Sequence, residues 1–162
     1  MGETVSISDL MVQSGVKFGT SGARGLADDM TDRVCYAYTA AFIQYLEETG
    51  ELKGGGGGAI AVGGDLRLST ERIMRAAVRA ISDKGYTPQC CGRLPAPALA
   101  NYGLINEIPT VMVTGSHIPE DRNGIKYTKR AGEILKHDEA GIRRQALTLA
   151  QGLFDEKGMF LV

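Results

Sequence analysis

Four residues set the chemistry this chain could perform: a serine, a histidine, a lysine and an arginine. The stretch Thr114-Gly115-Ser116-His117-Ile118-Pro119 directly follows the apolar run Thr110 to Val113. Ser116 is therefore expected on a turn at a strand end, fixed on one side and open on the other, as a nucleophile that meets substrate repeatedly must be. His117 can offer a hydrogen bond or a positive charge to an anion on that serine. Asn123-Gly124 is a turn signal, and Lys126 follows it on an expected hairpin arm that folds back toward Ser116. The plain alternative is a strand end, an ordinary turn and a solvated lysine. A serine hydrolase using Ser116 and His117 is disfavoured, because Ile118 stands where a G-x-S-x-G elbow requires glycine.

Two further loops carry polar groups suited to an anion. In Lys17-Phe18-Gly19-Thr20-Ser21-Gly22-Ala23-Arg24-Gly25, glycines let backbone N–H groups approach phosphate oxygens, and Arg24 adds a charge that never titrates. No Lys-Ser or Lys-Thr closes this loop, so it is not a Walker loop, and a tight structural turn is its other reading. Val62-Gly63-Gly64-Asp65-Leu66-Arg67-Leu68-Ser69 again follows a strand, and here Asp65 and Arg67 are expected to pair with one another or orient the serine loop. The glycines at 54–58 followed by Ala59 satisfy G-x-G-x-x-A, but they precede their strand, so the dinucleotide fingerprint fails on context and a connection remains.

Positioning these loops requires an alternation of strands and helices. Val34, Ala37, Tyr38, Ala41, Phe42, Tyr45 and Leu46 recur at three- and four-residue steps, predicting a helix over 32–48 capped by Thr31 or Asp32. Strands are predicted at 59–62, 89–91 and 110–114. Helices are predicted after Ser69-Thr70 and over 98–104, a hairpin arm at 124–128, and a last helix over 137–153. The pattern reads as an α/β three-layer sandwich, a mostly parallel (mixed) four-stranded sheet between helices. The apolar tail Met159 to Val162 looks like the start of another strand, hence a boundary inside a longer protein, with one domain over 1–155 and 156–162 beginning a link.

Composition narrows the function classes. The chain has 162 residues, 43% hydrophobic and 23% charged, with a formal net charge of −1. A core of one domain fits that mixture, and no global basic field exists to hold nucleic acid or an anionic membrane, so an anion needs a local site. Without a membrane-length apolar run or a signal-peptide pattern, a soluble cytoplasmic protein is expected. Cys35, Cys90 and Cys91 have no paired spacing and are expected as buried free thiols.

Taken in order, F-G-T-S-G-A-R-G at 18–25, V-G-G-D-L-R-L-S at 62–69, L-P-A-P at 94–97 and T-G-S-H-I-P with N-G-I-K ending at Lys126 resemble the α-D-phosphohexomutases, specifically their N-terminal phosphoserine domain. The resemblance implies that Ser116 is phosphorylated, with Lys126 and Arg24 placed for proton transfer or charge stabilisation and His117 beside the phosphate. Thr20, Ser21, Gly22 and Asn123 would bind phosphate or substrate. Where the family's common loop reads T-A-S-H-N-P, this chain has Gly115 and Ile118. The implied reaction interconverts hexose 1-phosphate and 6-phosphate through a hexose 1,6-bisphosphate, in a protein with three more domains. Magnesium would bridge phosphorylated Ser116 to carboxylates on another domain. No D-x-D-x-D loop occurs in this chain, so weak or no Mg²⁺ binding and no turnover are expected of it alone. A stand-alone phosphosugar-binding module is the alternative. The identity of the sugar and the oligomeric state are not legible.

Overall fold

A computed structural model describes residues 2–19, 21–52 and 57–161. Thr20 and the glycines 54–56 lie outside them. In chain order the elements are β1 (Glu3–Ser6), α1 (Ile7–Ser14), β2 (Lys17–Gly19), β3 (Gly22–Leu26), α2 (Asp32–Glu48), β4 (Ala59–Gly64), α3 (Thr70–Asp83), β5 (Thr87–Arg93), α4 (Ala96–Asn106), β6 (Thr110–Val113), β7 (Arg122–Lys129), β8 (Gly132–Glu133), α5 (Lys136–Arg143) and β9 (Ala146–Leu149).

The mixed sheet between helices is as expected, but larger than the four strands read from the sequence. Its order is β2-β3-β7-β6-β4-β5, with β8 continuing beside β7. Only β4 pairs in parallel, with β5 and with β6; β6-β7, β7-β3 and β3-β2 are antiparallel. The parallel half comes from crossovers through α3 and α4, and the β2-β3 and β6-β7 pairs from short returns that need no helix, while β3 and β7 meet across most of the chain. Residues 17–19 and 22–25 thus lie on the two arms β2 and β3, not in a loop after a strand, and Arg24 sits on an arm. The helix expected over 137–153 stops at Arg143, and Ala146–Leu149 pairs antiparallel with β1. The tail adds no strand to the sheet: Phe160 bridges back to Phe154, both rings pack on Tyr36, and Asp32 Oδ2 accepts the Phe160 amide at 3.0 Å.

One face of the sheet carries the main core. Ile60, Val62, Val111, Val113, Ile125 and Tyr127 point into it and meet the apolar stripes of α2 and α3. Thr31 Oγ1 accepts the Val34 amide at 3.2 Å, capping α2. The opposite face is covered by α4 only over Ala61 and Met112, which pack with Leu99. Over β2, β3 and the first half of β7, where Lys17 and Arg24 are exposed and Arg122 and Lys126 half-buried, that face is left open, and this bare part of the sheet carries the polar residues of interest. Of the cysteines only Cys35 is buried, its thiol pushed up to about 12 by desolvation; Cys90 is exposed and Cys91 half-buried, because β5 is the edge strand.

Candidate functional site

Register explains which side chains share the bare face. Lys17 lies opposite Arg24, Arg24 opposite Gly124, and Gly22 opposite Lys126. Partners across a ladder point the same way, as do residues two apart along a strand. Lys17, Arg24, Lys126 and Arg122 therefore project from one face, and glycines at 22 and 124 leave a floor between them. A Cβ on Gly22 would lie 1.9 Å from the Ile125 carbonyl oxygen, so the strands can only approach this closely without a side chain there. The result is a cleft of about 270 Å³ whose lining includes these four cations, Thr114 and Ser116.

Ser116 sits at the rim of this cleft with an unusual backbone. Its φ is 54°, in the left-handed region that costs a non-glycine residue about 1–2 kcal/mol. The surrounding structure holds it there. Ser116 N donates to Thr114 Oγ1 at 3.1 Å, and the Arg67 guanidinium reaches four carbonyls of the loop and its exit: Pro119 at 2.6 Å, Ile118 at 2.5 Å, Arg122 at 3.1 Å and Ser116 itself at 3.4 Å. Asp65 anchors that brace, its Oδ2 3.3 Å from Arg67 Nε and accepting the Gly115 amide at 3.0 Å. Asp65 and Arg67 thus both pair and hold the serine loop.

Burial pushes the Asp65 carboxyl up, but hydrogen bonds from Thr70, the Gly115 and Arg67 amides and Thr114 outweigh it and hold the group below its usual range. Asp138 behaves alike: burial raises it, and the Leu135 amide, Tyr45 and Lys129 lower it further. A depressed folded pKa adds stability that is present above the unfolded value of about 3.9 and lost as pH falls through the folded value. The unfolding temperature should therefore hold from neutral pH to about pH 5 and fall between about pH 4 and pH 2, with a shallower fall in Asp65→Asn; thermal melts across that range check it.

Not every residue expected at the site reaches it. Arg24, Gly22, Lys126 and Ser116 line the one cleft, whereas His117 is exposed and outside its lining. Asn123, expected to touch a ligand, is fully buried: its Nδ2 donates to Ser69 Oγ at 2.8 Å and Thr70 Oγ1 at 3.1 Å, tying β7 to the start of α3. Ser21 is buried too, its amide donating to Glu139 Oε1 at 2.8 Å. Both hold the scaffold, since a buried polar group is committed to its protein partner. Thr20 is outside the described residues. Sequence reasoning missed Lys17 and Arg122, each of which stands at the first position of a strand whose next residue but one is glycine.

Among the described residues no three carboxylate, imidazole or thiol groups converge for a metal. Asp65, the acid nearest the serine loop, is spent on Arg67, Thr70 and Gly115. The residues of this chain do not by themselves fit a magnesium ion.

Gly115 bears directly on this loop. A Cβ there would lie 2.2 Å from the Arg67 Cζ and Nε atoms, so an alanine cannot coexist with the guanidinium where it stands. Gly115→Ala should displace Arg67 and lower stability by about 1–3 kcal/mol, read as the shift of the urea midpoint.

Comparison with known proteins places this arrangement. The family model described as phosphoglucomutase/phosphomannomutase, alpha/beta/alpha domain I, matches residues 15–152. A phosphomannomutase of Sinorhizobium fredii is 43% identical over 136 residues, covering 84% of this chain and 28% of its own length. One from Salmonella muenchen is 40% identical over 134 residues, covering 83% and 27%. A phosphoglucosamine mutase of Thermotoga neapolitana is 32% identical over 129 residues, covering 79% and 28%. The crystal structure of a candidate phosphomannomutase from Thermus thermophilus superposes with a TM-score of 0.69 at 26% identity, over 79% of this chain and 29% of that one. The chain spans little more than a quarter of the length of these relatives. An α/β sheet between helices, with the family's domain I matched along most of its length, places this chain in the phosphoglucomutase/phosphomannomutase family as its alpha/beta/alpha domain I.

Proposed function

We propose that this chain is the phosphoserine-bearing domain of a phosphohexomutase, which interconverts hexose 1-phosphates and 6-phosphates with Ser116 as the carrier. The observation that supports this most is Ser116 held at φ 54° on the rim of a cleft whose other ionisable lining groups are four cations. Strain persists where the fold over-determines it, and functional sites are where such strain gathers. The relatives named as phosphomannomutases and phosphoglucosamine mutases support hexose phosphates as the proposed substrate class.

In the forward half-reaction, the Ser116 Oγ–P bond breaks as a bond forms from phosphorus to the sugar hydroxyl oxygen, and that hydroxyl gives up its proton. The return step runs in reverse with the other phosphate. Such transfers rest on positioning and charge neutralisation. Lys126 is proposed to give its proton to the departing Ser116 oxygen and, as the amine so formed, to take the one the sugar hydroxyl releases, because a guanidinium does not deprotonate; Arg24 supplies fixed charge. His117, exposed beside Ser116, is proposed to meet the phosphate from the open side. Magnesium, with its carboxylate ligands, belongs to the whole protein in this proposal, as do the further domains and a cytoplasmic setting. No helix among the described residues is long and apolar enough to cross a membrane.

The test is intact-mass spectrometry after incubation with glucose 1,6-bisphosphate. A gain of one phosphoryl group that maps to Ser116, without net mutase turnover by the chain alone, is expected. A phosphoryl group mapping elsewhere, or turnover by the 162-residue chain, would overturn the proposal.

A further inference from the structure

The cleft holds more positive charge than a single phosphoserine requires. Lys17 on β2 and Arg122 at the start of β7 flank Arg24 and Lys126 on the same face, each on a strand and outside the serine loop. The carboxylate that approaches these four is Glu133, whose Oε1 is 3.8 Å from Lys126 Nζ and whose side chain is 61% exposed. Four like charges on adjacent strands repel one another, an arrangement that costs stability unless an anion sits among them. A phosphoserine brings about −1.5 to −2 charges, and a sugar carrying two phosphates about twice that.

We infer that Lys17 and Arg122 are specificity-determining residues that let the cleft retain the doubly phosphorylated sugar. The inference rests on the proposed phosphohexomutase reading. When Ser116 carries the phosphoryl group, Arg24 and Lys126 offset it, and a sugar monophosphate brings a second phosphate of about the same charge, so the total does not change on transfer; what changes is that one of the two phosphates is no longer tethered. Once the group has passed to the sugar, Ser116 is neutral and both phosphates belong to a mobile ligand. The two outer cations then hold it, one from the β2 edge and one from beside the serine loop. Arg122 is fixed for this, since its carbonyl is clamped by Arg67 at 3.1 Å. Lys17, on the edge strand and exposed, has the reach to follow a ligand that reorients.

Titration calorimetry on the purified chain tests this, with glucose 1,6-bisphosphate, glucose 6-phosphate and inorganic phosphate as probes. The double variant Lys17→Gln/Arg122→Gln should lose about tenfold in bisphosphate affinity and about twofold or less for the two singly phosphorylated probes. Arg122→Lys should restore part of the loss, and Lys136→Gln on α5 should change nothing. Circular dichroism confirms that the variants fold. Equal bisphosphate affinity in wild type and double variant, an equal loss for all three probes, or no measurable bisphosphate binding by wild type overturns the inference. Phosphorylation of Ser116 reads the underlying proposal separately: if it fails while the bisphosphate still depends on Lys17 and Arg122, the carrier role falls and the anion site stands.

Discussion

Replacing Arg67 with methionine should lower the stability of this domain by about 2–4 kcal/mol and remove nearly all phosphoryl acceptance at Ser116. The side chain is 11% exposed, and its guanidinium satisfies four carbonyls while countering Asp65. Methionine keeps the volume and removes every donor. Leaving acceptors and one carboxylate unpaired costs far more than a surface ion pair, because their hydration is not recovered. For a chain of this length the unfolding temperature should drop by about 4–16 °C. With the brace gone, the hydrogen bonds that remain, Ser116 N to Thr114 Oγ1 and Gly115 N to Asp65 Oδ2, hold the costly φ less firmly, and the hydroxyl leaves the rim of the cleft. Arg67→Lys keeps the charge but not the fork, so it should fall between the two. Methionine with wild-type melting and wild-type phosphorylation would show that the four contacts carry nothing.

Much of this arrangement was legible in the sequence, and the parts that were not share a cause. The helix over 32–48 appeared at its bounds because a three- and four-residue apolar spacing survives on a helix buried along its length. The strand at 110–113 and the loop after it were legible because four consecutive apolar or β-branched residues run into a glycine. The short antiparallel pieces were not. β2, at three residues, and β1 and β9, at four each, are too brief for alternation to stand out, and their pairing is decided by partners far along the chain. Asn123 and Ser21 read as ligand contacts because turn-forming polar residues are ordinarily exposed; only the fold shows Ser69, Thr70 and Glu139 waiting for them. Lys17 and Arg122 were missed for the opposite reason. A charged residue on a strand reads as a solvated face, and only the register across β2, β3 and β7 reveals that four such residues converge.

Ser116→Gly should separate the two roles proposed for this position, because it removes the hydroxyl and the strain in one step. At φ 54° a serine carries a penalty of about 1–2 kcal/mol that glycine does not. Glycine offsets about 0.5–1 kcal/mol of that gain by loosening the unfolded chain. The glycine variant should therefore be at least as stable as wild type, while Ser116→Ala keeps the Cβ and with it the strain, so it should melt about 2–4 °C below the glycine variant. Neither variant should gain a phosphoryl group from glucose 1,6-bisphosphate. If alanine and glycine melt together, the backbone is not strained at this position and the loop owes its shape to Arg67, Asp65 and Thr114 without cost at Ser116. If they separate as expected, the left-handed turn serves the hydroxyl and not the fold. A carrier serine must face donor and acceptor in turn, and a residue lifted off the strand end by a positive φ presents its oxygen to the cleft where a β-conformation would carry it onward along the chain. The stability this domain forgoes at Ser116 is then the cost of keeping one hydroxyl above four cations, and Arg67 with Asp65 is what makes that cost bearable.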